Sequence, residues 1–191
     1  MSNVCNANQS DDAITGSMQA VGDCTIRRAT PNDAGKIHAI MQRVTDALSD
    51  KSLFVCDDLA YVQTQLQSGG FGVVACNSDN EIVASFLFRY PHMAQDNLGR
   101  DVNLPEDKLE TVVHMDSAVV LPEYRGHHLQ ERMLRYAENL IDKKSYHYFI
   151  ATVSPNNPAS YLSFERSGYS LVVTKEKYGG LLRRIYMKEC D

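Results

Sequence analysis

The stretch that most constrains this chain is a strand, helix, strand run in its second half. Residues 111–120 (TVVHMDSAVV) form an extended apolar-rich segment. Residues 126–143 carry Leu129, Met133, Ala137, Leu140 and Ile141 on one helical stripe, and residues 146–153 are strand-like again. Two strands joined through a helix pair in parallel with a right-handed crossover. The chain must therefore supply a sheet with helices packed on it.

The flanking segments extend that sheet. A short strand at Cys24-Thr-Ile-Arg-Arg leads to a helix start, with Thr30 as N-cap, Pro31 in the first turn and Asp33 after it. Ala34, Ile37, Ile40, Met41, Val44 and Leu48 then recur at helical spacing. A second short helix fits residues 57–67, opened by Asp57 and Asp58 and closed by Ser68-Gly69-Gly70. Strands at 71–76 and 81–90 are joined by the turn formers Asn77-Ser78-Asp79-Asn80. Residues 91–108 make a polar connection long enough to be functional or mobile. After the crossover, Asn157-Pro158 starts a short helix that ends at Ser167-Gly168, and strands follow at 169–174 and 181–188. Lys175-Glu176-Lys177 reads as a solvated strand end. Tyr178-Gly179-Gly180 reads as a turn, with a second reading as part of a pocket wall. The expected architecture is α/β, a mixed sheet of about seven strands with helices on both faces, in one domain over residues 24–191. Residues 1–23 read as a loose tail that Ile14, Met18 and Val21 could dock.

Composition removes several function classes. With 191 residues, 43% hydrophobic and 23% charged, the chain can bury a core without disulfides or metals. A formal net charge of −5 argues against nucleic acid as the main partner. No apolar run is long enough to span a membrane. Five scattered cysteines without C-x-x-C spacing suit reduced thiols, and no basic, apolar leader precedes Arg27, so a cytoplasmic location is expected.

The chemistry points to the strand-to-helix turn Pro122-Glu123-Tyr124-Arg125-Gly126-His127-His128-Leu129-Gln130. A helix N-terminus offers unpaired N–H groups and a positive dipole end, which hold phosphate oxygens. Arg125 adds a cation, and Gly126 permits a tight turn. Along the preceding strand, alternation puts Glu110, Val112, His114, Asp116 and Ala118 on one face unless a bulge shifts the parity. His114 could take a proton from an ammonium, with Asp116 orienting it or binding the cation; both also read as satisfied polar residues at a sheet edge. His127 and His128 are adjacent and cannot face one metal, so no metal site is expected. Ser154, Ser160 and Ser163 lack a His–Asp arrangement for serine hydrolysis.

Ala118-Val119-Val120-Leu121-Pro122-Glu123-Tyr124-Arg125-Gly126-x-x-Leu129 resembles the acetyl-CoA motif of the GNAT superfamily of N-acetyltransferases. Asn157-x-x-Ser160-x-x-Ser163-Phe164-x-x-x-Gly168-Tyr169 is similar to that family's second motif, and the likeness covers about residues 24–189. The resemblance implies a GNAT-like fold and acetyl-CoA as acyl donor to a primary amine of a small molecule or peptide, attacked directly without an acyl-enzyme. It implies that the backbone of Ala118, Val119 and Val120 pairs with the pantetheine arm. Arg125, Gly126, His127, His128, Leu129 and Gln130 would cradle the pyrophosphate. Asn157 would hydrogen-bond the pantetheine or the reaction centre, and the helix carrying Ser160 and Phe164 would flank the thiol end. A backbone N–H of the fourth strand would polarise the thioester carbonyl.

The departures are specific. His128 and Gln130 stand where the family carries small residues. Phe164 stands where a tyrosine usually protonates the leaving thiolate, so either Tyr161, Ser163, another group or water serves, or the enzyme is slow. Asp57, Asp58, Asp96, Asp101, Glu106 and Asp107 suggest a cationic acceptor. Two other readings stay open: a GNAT-fold CoA-binding sensor or interaction module with little catalysis, and an α/β protein whose Arg-Gly turn is structural. A homodimer is compatible with the sequence.

Overall fold

The crossover forms as expected. In the computed structural model, which describes residues 24–190, strand β4 (Val112–Val120) leads through helix α3 (Leu129–Glu138) to β5 (Tyr148–Val153), and β4 and β5 pair in parallel. The tail 1–23 lies outside the described residues. The other strands are β1 (Thr25–Arg28), β2 (Gly70–Cys76), β3 (Ile82–Arg89), β6 (Ser170–Lys177) and β7 (Leu181–Glu189). They complete one seven-stranded sheet in the order β1-β2-β3-β4-β5-β7-β6, antiparallel at every other pairing. The remaining helices are α1 (Ala34–Asp46), α2 (Leu59–Thr64) and α4 (Pro158–Arg166). Both α1 and α3 pack against β3 and β4 without substantial contact with each other, so they cover opposite faces.

The start of α1 is fixed by Asp33. Its carboxylate accepts from the Thr30 N–H (2.7 Å), the Thr30 hydroxyl (2.9 Å) and both terminal nitrogens of Arg27 (2.8 and 2.9 Å). That guanidinium, beside the Thr30 donors, holds the carboxyl well below its usual range and ties the helix to β1. From there Ala34, Ile37, Ile40, Met41 and Val44 face the core. Helix α2 is shorter than expected. Asp58 caps it by accepting from the Tyr61 N–H (2.7 Å), and it widens into a π-turn over Gln65–Gly69.

Helix α3 also differs from expectation at both ends. It begins at Leu129, because Gly126 and His128 have φ of 83° and 55° and neither conformation continues a right-handed helix. It ends at Glu138, and Leu140 is 40% exposed instead of joining the buried stripe. Beyond the crossover, β6 runs on through Lys177. Lys175 and Lys177 both pair with Asp101 (2.8 and 2.5 Å), so they pin the long connection between β3 and β4 rather than forming a solvated end. That connection is held from inside as well. Asn97, 1% exposed, donates to the carbonyls of His92 and Leu109 and accepts from the Gly99 N–H.

Candidate active site

The parallel pair is short, and that opens the sheet. β4 and β5 are in register only from Val112↔Tyr148 to Met115↔Ala151. Beyond Met115, β4 stays with β3 while β5 follows β7 to Val153↔Arg184, leaving the β5-facing backbone of residues 116–120 without a strand partner among the described residues. At the same place β4 carries an extra residue: Phe88 pairs with Met115, yet Phe86 pairs with Ala118. This bulge reverses the parity. Ala118 shares a face with Met115 and not with His114, so the expected co-facial set from Glu110 to Ala118 is split; Glu110 itself lies in the 3₁₀ turn before the strand.

Two cavities flank the opening, and Leu53 and Phe54 line both. The first is a cleft of about 380 Å³. One wall is Ala118, Val119 and Val120; Val44 and Leu48 close it from the end of α1, and Asn157, Ser160 and Ser163 face it from α4. The turn from Arg125 to Gln130 forms its mouth, with His127 outside the lining. The N–H groups of Gly126, His127 and His128 are taken by no other described residue. A Cβ on Gly126 would meet nothing within 4 Å, so glycine is demanded there by its positive φ and not by crowding. The Gln130 amide donates to the Ser160 hydroxyl (3.1 Å), bridging α3 to α4. Arg166, which the sequence reading missed, adds a second bridge by pairing with Glu131. Asn157 caps α4 by accepting from the Ser160 N–H (3.2 Å). The Ser163 hydroxyl is buried against this cleft without a hydrogen-bond partner among the described residues.

The second cavity, about 260 Å³, sets charged and hydroxyl side chains among apolar ones that include Val55, Leu98 and Met115. Asp116 accepts from the Tyr61 hydroxyl at 2.5 Å. Burial pushes its pKa up to about 6, against the lowering effect of that hydrogen bond, and the nearby Asp57 carboxylate adds to the rise. Asp57 accepts from the Ser117 hydroxyl (2.5 Å), and burial raises its carboxyl too. His114 does not fit the role of base. Its Nε2 accepts the Leu98 N–H (2.9 Å), so the ring proton sits on Nδ1, and burial, aided by the charge of Arg89, lowers its pKa to about 3. The ring is a buried acceptor that holds the β3–β4 connection against β4.

Three other expected residues stand away from the cavities. Phe164 is 3% exposed, inside an aromatic cluster with Tyr169 (5.1 Å) and Phe86 (6.2 Å), and lines neither cavity. Tyr161 lines neither; Arg184 covers its ring at 4.4 Å. His127 is exposed. Of the six acids expected near the mouth, Asp57 and Asp96 line the second cavity. Asp58 caps α2, Asp101 holds the lysines, and Glu106 and Asp107 line neither cavity. Sequence reading missed Tyr61, Ser117 and Arg183, which reach the second cavity from three separate elements. Only Tyr61 carried a signal, as a polar-tipped aromatic on a short helix opened by two acids.

Comparison with known proteins follows this geometry. The model of the acetyltransferase (GNAT) family matches residues 39–169. No curated protein matches the chain. Among solved structures, a GNAT-family acetyltransferase from Streptococcus pneumoniae is 14% identical with TM-score 0.65, over 88% of this chain and 100% of that one. NAA60 of Arabidopsis thaliana in complex with acetyl-CoA is 10% identical with TM-score 0.67, over 87% and 99%. The yncA protein of Salmonella typhimurium with acetyl-CoA is 18% identical with TM-score 0.62, over 88% and 95%.

Proposed function

The chain belongs to the GNAT family of acetyltransferases, and on that premise we propose that it transfers the acetyl group of acetyl-CoA to a primary amine by direct attack. The observation that carries the reading is the pair of cavities meeting at Leu53 and Phe54 beside the opened β4, one reaching along the β4 edge to the turn before α3 and the other holding the carboxylates of Asp57 and Asp116.

The residues of the first cleft suit the donor. Untaken N–H groups at Gly126, His127 and His128 and the positive end of the ten-residue α3 suit a pyrophosphate, and the exposed Arg125 adds charge. The unpartnered edge of β4 past Met115 suits the amides of the pantetheine arm. Ser163 has a buried hydroxyl with a hydrogen bond still to make. Acetyl-CoA supplies a thioester with an activated acyl carbon; the protein must position it and handle the protons.

Asp116 is the residue we assign as general base. Above about pH 6 it is ionised, and its environment makes it more basic than an ordinary carboxylate. Tyr61 fixes its orientation through the hydroxyl bond. Asp57 adds negative charge that favours an ammonium arriving in the same pocket.

One observation favours a second reading, a donor-binding protein without transfer. No tyrosine stands at the place the family uses, because Phe164 is buried and Tyr161 faces Arg184. The test separates the two. Acetyl-CoA at 100 times its dissociation constant adds about 2.7 kcal/mol by mass action, a rise of roughly 5–11 °C in midpoint at roughly 2–4 °C per kcal/mol. Amine-dependent release of CoA thiol supports transfer. Thermal stabilisation without thiol release over a broad amine panel supports the second reading, and no stabilisation contradicts both.

A further inference from the structure

The second cavity is lined by three cations (Arg89, Lys177, Arg183) and three carboxylates (Asp57, Asp96, Asp116), and they are not all paired with one another. Arg89 holds Asp96 through two bonds of 2.7 and 2.8 Å, and Lys177 holds Asp101 at 2.5 Å, so these cations are spent within the protein. Asp57 and Asp116 face hydroxyls, from Ser117 and Tyr61, and no cation lies within ion-pairing distance of either among the described residues.

Arg183 is the opposite case. It lines the same cavity, is 4% exposed, and among the described residues has no carboxylate within ion-pairing distance. Its two terminal nitrogens donate to the carbonyls of Leu182 (3.0 Å) and Ser52 (2.7 Å), and the Tyr178 ring lies 5.8 Å from its Cζ. Two of the five guanidinium N–H groups are therefore used, and three stay available. A guanidinium stays charged at neutral pH even where burial disfavours it, as burial does here. Asp50 acts on this charge only from beyond ion-pairing distance and lies outside the cavity lining. Keeping a guanidinium out of water without a paired carboxylate is costly, and an arriving one would relieve the cost through the paired geometry that guanidinium offers.

Among the described residues, one cavity thus holds two carboxylates with no ion-paired cation and one cation with no ion-paired carboxylate. From this juxtaposition we propose that the acceptor is a zwitterionic amine, a free amino acid whose carboxylate is bound by Arg183 and whose amine faces Asp116 and Asp57. The proposal rests on the acetyltransferase reading and narrows it. The volume of about 260 Å³ is below the usual 300–1,000 Å³ range of drug-sized pockets and suits a small acceptor. A polyamine would leave Arg183 unpaired and facing a second cation. A peptide N-terminus has no carboxylate one residue from its amine.

The test uses the full chain, acetyl-CoA and the twenty L-α-amino acids, each beside its α-carboxamide, with cadaverine and spermidine as amines lacking a carboxylate. The readout is kcat/KM for CoA thiol release. We expect at least one amino acid to be acetylated, with its acid form exceeding its amide at least tenfold. The bias of the chemistry runs the other way, since the amide's amine is less basic and more of it is neutral at a given pH. Arg183→Gln should bring that ratio towards one, and Arg183→Lys should keep part of it. The ratio is read within each variant, so a smaller folded fraction cancels. Calorimetry of the same acid and amide against CoA-loaded protein should show the same preference in binding. Equal use of acids and amides, preference for the polyamines, an unchanged ratio in Arg183→Gln, or donor binding with no amino acid accepted would each overturn the proposal. Failure to bind acetyl-CoA would instead overturn the underlying reading.

Discussion

The two cavities that meet at Leu53 and Phe54 are made from different materials. In the proposed reading the donor is held chiefly by main chain, through the edge of β4 and the N–H groups of the turn before α3, where His128 occupies a left-handed position. The proposed acceptor pocket works through side chains, from the α2 region (Asp57, Tyr61), β4 (Asp116, Ser117), β7 (Arg183) and the β6–β7 turn (Tyr178). A backbone site tolerates substitution as long as the chain path persists. A side-chain site changes its chemistry with each replacement. The donor side of such a fold can therefore stay constant while the acceptor side diverges.

The largest effect expected from this division is at Asp116. Asp116→Asn should lower kcat by roughly 10²–10⁴-fold, the range for loss of a general base. The same change should stabilise the protein at neutral pH. Because the native pKa of about 6 lies above the ordinary 3.8, the contribution of Asp116 to stability is full below about pH 4 and is lost as pH rises through 6. An uncharged amide escapes that loss, a gain of about 1–3 kcal/mol. Denaturant unfolding at pH 5 and pH 8 checks it: the advantage of the variant should be larger at pH 8.

A smaller effect is expected at Tyr61, which acts through Asp116. Its hydroxyl favours the ionised carboxylate and holds the pKa below where burial alone would put it. Tyr61→Phe should move the acidic limb of the kcat/KM profile upward from about pH 6 and leave acetyl-CoA affinity unchanged. An unmoved limb would separate Asp116 from the rate-determining ionisation.

The smallest concerns the donor turn. His128 at φ 55° carries the strain that side chains meet in the left-handed region, about 1 kcal/mol. His128→Gly removes that strain but adds entropy to the unfolded chain. The net change should be a gain of at most a few tenths of a kcal/mol in urea unfolding, with donor affinity equal or better. A clear loss would mean that the His128–Glu131 contact (3.2 Å) contributes more than the strain costs.

What the sequence made legible follows the same line. Hydrophobic period and crossover order were enough for the mixed sheet, because each is a local signal with a single geometric solution. The turn at Arg125–Gly126 was legible because left-handed conformations and N-terminal helix donors leave a composition trace. The role of His114 was not legible, because its acceptor bond from Leu98 depends on where a connection of some twenty residues folds back. The bulge between Met115 and Ala118 was foreseen only as an alternative, and it decided which β4 side chains share a face. Arg183 left no trace, since a lone arginine on a closing strand looks the same whether it meets solvent or a cavity.

The division between a main-chain donor site and a side-chain acceptor site is tested most directly by calorimetric titration of acetyl-CoA into the wild type, Gly126→Val and Asp116→Asn. A β-branched residue cannot hold a φ of 83° without rearranging the turn, so Gly126→Val should lose at least about tenfold in affinity. Asp116→Asn should bind within about twofold of wild type, since the carboxylate lies in the other cavity. Unchanged affinity in Gly126→Val, or a comparable loss in Asp116→Asn, would contradict the account.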